Sequence, residues 1–256
     1  MKLATWNINS IRARTDRLIG WLAAEQPDVL CLQETKVEDA AFPTEALKKA
    51  GYETVIFGQK SYNGVAIASR QPITNVVRGL SDGVADDEAR LIAGTTFGLR
   101  VVCVYVPNGG ELTSEKFPYK LAWYRRLRAF CERDGSRDLV VAGDFNVTAD
   151  DRDVCDPVKW AGHIHCSEPE RAALAELVGL PLVDIFRKLH PDGGVYSWWD
   201  YRGVAFFKNQ GLRIDHILAT PSVAERATAC TIDRNARKGQ DASDHAPVVA
   251  VIRNPD

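Results

Sequence analysis

Leu139-Val140-Val141-Ala142-Gly143-Asp144-Phe145-Asn146 is the stretch whose reading decides the fold. Four apolar residues, β-branched in the middle and stopped by glycine, predict a short buried strand ending in a tight turn. An acid and an amide one residue apart then project from the strand's C-terminal end, the edge at which open α/β sheets bind ligands. Alone, Asp144 and Asn146 have two readings of equal weight. They cap a turn by bonding their own backbone, or they are held out for chemistry. Their surroundings decide.

Working outward, apolar runs at 2–6, 28–33, 53–57, 64–68, 91–97, 100–106, 213–219 and 246–252 predict further strands. Two pairs read as hairpins, 53–57 with 64–68 and 91–97 with 100–106 across Gly98. A helix capped by Ser10 is expected to about Ala24, with Ile11, Leu18 and Leu22 on one face. A second covers about 115–133, with Phe117, Leu121, Tyr124, Leu127 and Cys131 at helical spacing, and a third runs over 168–178 from Ser167. Strands outnumber helices, which predicts an α/β fold of mixed sheets with helices on the outer faces. No Pro/Gly/Ser-rich linker or charge run divides the chain, so residues 1–256 are expected to form a single domain. Trp6-Asn7 and Phe145-Asn146 both end strands in aromatic–Asn, an echo expected of a two-sheet fold with similar halves.

Composition bounds the class. Hydrophobic content of 45% and charged content of 26% are those of an ordinary globular chain. No apolar stretch approaches the roughly 20 residues that cross a bilayer. Met1–Asn7 reads as a strand rather than a secretion signal, so a cytoplasmic location and no membrane partner are expected. The six cysteines show no CxxC spacing, and Cys31 and Cys103 fall in apolar strands, so the expected core is reduced. His163, His165 and Cys166 lack a nearby fourth ligand and read as an irregular loop rather than a zinc site. A net charge of −2 advertises no polyanion partner, but the basic residues are clustered: Arg12, Arg14 and Arg17; Lys116 and Lys120 with Arg125, Arg126 and Arg128; Arg202, Lys208 and Arg213; Arg234, Arg237 and Lys238. Converging on one rim, such clusters would track phosphates around an acidic centre.

Polar residues recur at the predicted strand ends. Asn7 and Asn9 follow the first strand, Glu34 the second, Tyr105 ends the strand before Pro107-Asn108-Gly109, and Asp244-His245 precede the last. Asp215 interrupts an apolar run, where a carboxylate costs several kcal/mol unless paired. His245 is its natural partner, since an Asp fixes an imidazole's tautomer and favours its charged form. The set has a chemical logic. Hydrolysing a phosphodiester requires a base for water, relief of charge on the phosphoryl oxygens and help for the leaving oxyanion. A hard divalent cation takes carboxylate and neutral oxygens, which Glu34 and Asn7 supply.

Seven strings carry a resemblance: Thr5-Trp6-Asn7-Ile8-Asn9, Leu32-Gln33-Glu34-Thr35-Lys36, Tyr105-Val106-Pro107-Asn108-Gly109, Gly143-Asp144-Phe145-Asn146-Val147, Ser197-Trp198-Trp199-Asp200-Tyr201, Gly211-Leu212-Arg213-Ile214-Asp215 and Ser243-Asp244-His245-Ala246-Pro247. In order and spacing, over nearly the whole chain, the sequence resembles the exonuclease III family of the endonuclease/exonuclease/phosphatase superfamily. The resemblance implies a four-layered α/β sandwich, two mixed β-sheets face to face with helices outside. It implies a Mg²⁺-dependent nuclease, with Mn²⁺ as a substitute, that cuts 5′ to abasic sites and removes nucleotides 3′ to 5′ from duplex DNA. By motif, Glu34 and Asn7 resemble metal-site residues with Asn9 and Asp244 near them, Asp144 the general base, Asn146 a residue that positions the nucleophile, Tyr105 a phosphate contact, and Asp215–His245 the supporting dyad. Trp198 with Leu212 resembles an apolar pocket for an extruded abasic sugar, while Trp199 reads as core. Arg90, Asn108, Lys116 and Lys120 are the expected DNA contacts.

Departures from the family pattern are local. Ser10 stands where many relatives have glycine, Asn108 replaces a glutamine, and 147–166 has no clear match in the best-known bacterial member. A monomer with no obligate protein partner is expected. Two other classes compete: a phosphatase acting on lipid or inositol phosphates, and a DNA-binding module on a dead nuclease scaffold. The Trp198 motif and basic helix disfavour the first; the intact set of carboxylates, amides and histidine disfavours the second.

Overall fold

In the computed structural model, which describes residues 1–254, twelve strands form two six-stranded sheets. Chain order gives β1 (Lys2–Asn7), β2 (Val29–Gln33), β3 (Glu53–Phe57), β4 (Val65–Ser69), β5 (Thr74–Arg78), β6 (Leu91–Thr96), β7 (Leu99–Tyr105), β8 (Leu139–Asp144), β9 (Val183–Asp184), β10 (Asp215–Ala219), β11 (Ala227–Ile232) and β12 (Val248–Ile252). The helices are α1 (Ile11–Glu25), α2 (Thr44–Lys49), α3 (Lys116–Asp134), α4 (Pro157–Trp160), α5 (Glu168–Val178), α6 (Ile185–Leu189) and α7 (Pro221–Ala224). One sheet runs β11-β12-β1-β2-β4-β3 and the other β5-β6-β7-β8-β10-β9. Each is mixed: β1–β2 and β7–β8 are parallel, and the remaining pairs are antiparallel. The predicted α/β class, the mixed sheets and both hairpins are as expected.

Side-chain alternation builds the layers. Leu3, Val29, Cys31, Ile67, Val101, Cys103, Val140 and Ala142 point between the sheets into one core, while Ala4, Trp6, Leu30 and Leu32 turn outward to α1. Val102, Val104, Val141 and Phe145 turn outward to α3 and α5 in the same way. A strand covered on both faces reads as a continuous apolar run, which explains why these strands are visible in the sequence. All six cysteines are free. Among the described residues, no helix is long and apolar enough to cross a membrane.

Three local expectations need correction. Ser10, expected to cap α1, occupies its N-cap position but makes no side-chain cap bond; its φ of 83° is left-handed, a backbone that suits glycine. The stripe buried by α3 is Lys120, Trp123, Tyr124, Leu127, Phe130 and Cys131, whereas Phe117 and Leu121 are only half-buried. Asp215 opens β10 instead of interrupting it.

Topology places the site. The C-terminal ends of β1, β2, β7 and β8, the start of β10 and the turn before β12 share one edge of the sandwich. Register fixes it: Asn7 pairs with Gln33, Tyr105 with Asp144, and Asp144 with Asp215. Gly143 permits this closeness, since a Cβ there would sit 1.9 Å from the Val104 carbonyl oxygen.

Candidate active site

Asn7 and Asp144, from different sheets, meet at the centre. The Asn7 Nδ2 amide donates to Glu34 Oε1 at 2.7 Å and to Asp144 Oδ2 at 2.9 Å, so one side chain bridges the sheets. Asn146 donates its backbone N–H to Asp144 Oδ1 at 2.9 Å. Its side-chain amide reaches the Val106 carbonyl at 2.9 Å and Asp144 Oδ2 at 3.4 Å. Burial pushes the Asp144 carboxyl up to about 7, reinforced by Asp215 and offset by His245 and Asn7. A carboxylate tuned near neutrality both accepts and holds a proton, as a general base must.

His245 faces Asp144 from the turn before β12. Its Nδ1 donates to Asp215 Oδ2 at 2.9 Å, and its Nε2 lies 3.7 Å from Asp144 Oδ2. Burial opposes a charged imidazole, but the Asp215 and Asp144 carboxylates outweigh it and hold the pKa up at about 10. The ring is therefore cationic at neutral pH and carries an N–H on each nitrogen. Ser197 fastens the dyad from below, donating its hydroxyl to Asp215 Oδ2 at 2.6 Å while accepting the Asp215 N–H at 3.1 Å. The Tyr105 phenol is kept protonated by burial and by the Glu34 and Asp144 charges, and Arg90 lies over its ring at 4.8 Å.

The carboxylate oxygens of Glu34 and Asp144 and a ring nitrogen of His245 lie within 4.8 Å of one another; the protonated ring keeps its N–H groups, which leaves the ligand role to the two carboxylates. Two carboxylates beside a carboxamide suit a hard divalent cation, so the residues fit a metal here. Of the four metal residues expected, Glu34 stands in this group with Asn7 bonded to it. Asn9 and Asp244 hold each other at 2.9 Å on the rim; the second Asp244 oxygen accepts from Trp198 Nε1 at 3.0 Å. Lys36, given no role in advance, donates to Glu34 at 2.7 Å and Asn9 at 2.6 Å.

Several expected DNA contacts divide. Lys116 and Asn108 are exposed. Arg90 is committed to Glu88 and to the Tyr105 carbonyl. Lys120 is not a phosphate contact: its side chain is 0% exposed and bonded to Glu170, Asn146 and Asn108. The signal was there, because Lys120, Tyr124, Leu127 and Cys131 share one helix face. Arg213 is buried against Asp153 and Asp184, and half-buried Arg126 is paired with both Asp82 and Asp86, so both are committed to carboxylates of the protein itself. The clusters around Arg14 and Arg237 do converge: Arg14 bonds the Asn9 carbonyl and Tyr201 hydroxyl, Arg17 bonds the Lys238 carbonyl, and Arg237 lies over Tyr201 at 4.9 Å.

Leu212 is fully buried, packed with Val154, Cys166 and Ile214 beside half-buried Trp198. Trp160 and His165 flank Trp198 at ring distances of 6.5 and 6.2 Å. Trp199 is core, as expected.

His165 is the main residue that sequence reasoning missed. Its Nδ1 meets the Asn146 carbonyl at 2.7 Å, and Asn108 Nδ2 lies 3.5 Å from its Nε2. Burial, helped by the Lys120 charge, lowers its pKa to about 4. A histidine held neutral loses stability as pH falls below 6.5, where the unfolded chain takes up the proton, until the folded pKa is reached. Going from pH 7 to pH 5 should therefore cost on the order of 2 kcal/mol through His165. Thermal unfolding of His165→Gln beside the native chain checks this: the variant should fall less, and parallel pH curves would refute it.

The profile described as Endonuclease/Exonuclease/phosphatase family matches residues 4–245. The chain belongs to this family. Among family relatives, it is 38% identical to exodeoxyribonuclease III of Haemophilus influenzae, covering 99% of this chain and 100% of that one. A solved 3′ phosphatase, NExo, from Neisseria bound to a product DNA hairpin is 43% identical, with TM-score 0.97 over 99% of each chain. An AP endonuclease from Archaeoglobus fulgidus is 41% identical, with TM-score 0.95 over 98% of this chain and 99% of that one. Such similarity places this endonuclease/exonuclease/phosphatase chain in the exonuclease III branch.

Proposed function

We propose that the chain is a Mg²⁺-dependent DNA-repair nuclease, with Mn²⁺ as a substitute, that acts as a monomer on duplex DNA. It hydrolyses the P–O3′ bond 5′ to an abasic site, leaving a 3′-hydroxyl, and removes nucleotides from 3′ ends. The reading rests above all on one observation, the Asn7 amide that joins Glu34 and Asp144 beside the Asp215–His245 dyad. Asp144 takes the proton of the attacking water, while Asn146 and Asn7 hold the carboxylate still. The His245 Nε2–H and the Tyr105 hydroxyl donate to phosphoryl oxygens as negative charge builds on them. Glu34 and Asn7 would hold the cation, which would supply charge neutralisation at the phosphate. The test is a duplex with a single tetrahydrofuran abasic analogue, incubated with Mg²⁺ and with EDTA. Incision in Mg²⁺ alone is expected; its absence sinks the reading.

A second reading gives 3′-end processing, including removal of a 3′-terminal phosphate, the larger share. Its support is the crowding of Trp198 by Trp160 and His165, together with the likeness to the Neisseria 3′ phosphatase. Trp198→Ala separates the two. Where Trp198 receives the abasic sugar, this change lowers abasic incision about tenfold or more, in line with loss of an apolar contact worth about 1.5–3 kcal/mol, and spares 3′-phosphate release. Equal losses on the two substrates make Trp198 a core residue only.

A further inference from the structure

Lys120 on α3 and Glu170 on α5 form an ion pair with neither side chain exposed. The Lys120 ammonium has three N–H donors, and each has an acceptor: the Glu170 carboxylate, the Asn146 carbonyl at 2.7 Å and the Asn108 carbonyl at 3.1 Å. Glu170 in turn accepts the His165 backbone N–H at 3.0 Å, the Ser167 N–H at 3.2 Å and the Ser167 hydroxyl at 2.6 Å. His165 Nδ1 closes the circuit on the same Asn146 carbonyl. One buried pair therefore ties together the backbone at 108, 146, 165 and 167, positions on three segments far apart in sequence.

Stability alone is a weak reason for such a pair. Taking two charges out of water costs several kcal/mol per ion, and apolar residues of similar volume often serve as well or better. Of the backbone the pair holds, Asn146 is the part bonded to Asp144. That residue has φ 52°, a left-handed backbone that a non-glycine residue adopts at some cost. In this conformation its N–H meets Asp144 Oδ1 and its amide meets Val106 and Asp144 Oδ2. Asn108 also donates to Asn146 Oδ1, at 3.3 Å.

We propose that the Lys120–Glu170 pair positions the reaction: by gripping the Asn146 and Asn108 carbonyls, it holds Asn146 in the geometry that aims the Asp144 carboxylate. Neither residue reaches solvent, so both act through Asn146 and neither touches DNA. The inference rests on the nuclease reading above, because its readout is DNA hydrolysis. Misplacing a reacting group by about 1 Å costs about a hundredfold in rate, which sets the scale.

The experiment compares Lys120→Met with the double variant Lys120→Met/Glu170→Met on the Mg²⁺-loaded enzyme and an abasic duplex. The single variant strands a buried carboxylate and should melt lower. The double variant removes both charges and should recover most of the lost melting temperature, yet keep kcat down tenfold to a hundredfold with KM and DNA affinity within about twofold. A double variant with native kcat would overturn the proposal, since a purely structural pair loses nothing once packing is restored. If the double variant does not fold, the isosteric Glu170→Gln is read instead: about a tenfold fall in kcat with unchanged DNA affinity is expected, and native kcat overturns the proposal. An inactive native chain would instead be the failure of the nuclease reading.

Discussion

Asp144→Asn should abolish incision, lowering kcat by at least about 10³-fold, while the affinity for duplex DNA stays within a few-fold of native. The substitution keeps every heavy-atom position but removes the carboxylate proposed to accept the proton from water, a contribution worth about 10²–10⁴. It also removes a charge that stabilises the imidazolium of His245, whose Nε2 lies 3.7 Å away. The two losses act on the same step and do not add as independent terms. Binding is spared because Asp144 is 1% exposed and therefore presents little surface to DNA. Single-turnover incision of an abasic duplex, with anisotropy for binding, measures both quantities. Near-native turnover would remove Asp144 from the role of base.

His245→Ala should be nearly as damaging, at about 10³-fold in kcat, and should in addition lower stability. The imidazolium is the only cation bonded to Asp215 among the described residues. Its removal leaves the Asp215 carboxylate with the Ser197 hydroxyl alone, and one Asp215 oxygen is unpartnered already. Breaking a buried pair from one side costs about 3–5 kcal/mol. A double variant, His245→Ala with Asp215→Ala, separates the effects: it should recover part of the stability and none of the activity. Recovery of turnover by the double variant would show that His245 serves folding alone.

How much of this was legible follows from burial. Strands covered on both faces announce themselves, and β1, β2, β4, β6, β7, β8, β10 and β12 all match predicted runs to within a few residues; the edge strand β3 matches its predicted run as well. The strands missed, β5, β9 and β11, lie at sheet edges. Ala227–Ile232 is buried at only two of its six positions, so its apolar pattern is diluted by solvent. Site residues were legible for a related reason. A polar residue that ends an apolar run stands at the rim of a sheet, and Asn7, Glu34, Tyr105 and Asp144 all do so.

Charge was legible in kind and not in place. Lys120 and Arg213 have the residue type of a phosphate contact, yet both are spent inside the protein on carboxylates from distant segments, Glu170 and Asp153 with Asp184. Whether a cation faces water or a buried acid depends on which helix packs over it, and no local pattern carries that information. His165 is a similar case. Its loop reads as irregular, and only the closure of α5 against α3 puts the ring between Asn146 and Trp198.

By itself, then, the sequence determined which strands are buried, which residues end them, and through seven ordered strings the family to which the chain belongs. Tertiary structure alone decided which of those ends meet. Asn7 and Asp144 are 137 residues apart and joined at 2.9 Å, because two separate sheets pack face to face with their functional edges aligned. The alternation that sorts a strand's faces acts within about ten residues, whereas the distance from a carboxylate to its imidazole is set by packing between layers. That packing turned Asp144 and Asn146 from a turn that could have capped itself into a buried pair whose carboxyl is pushed up to about 7.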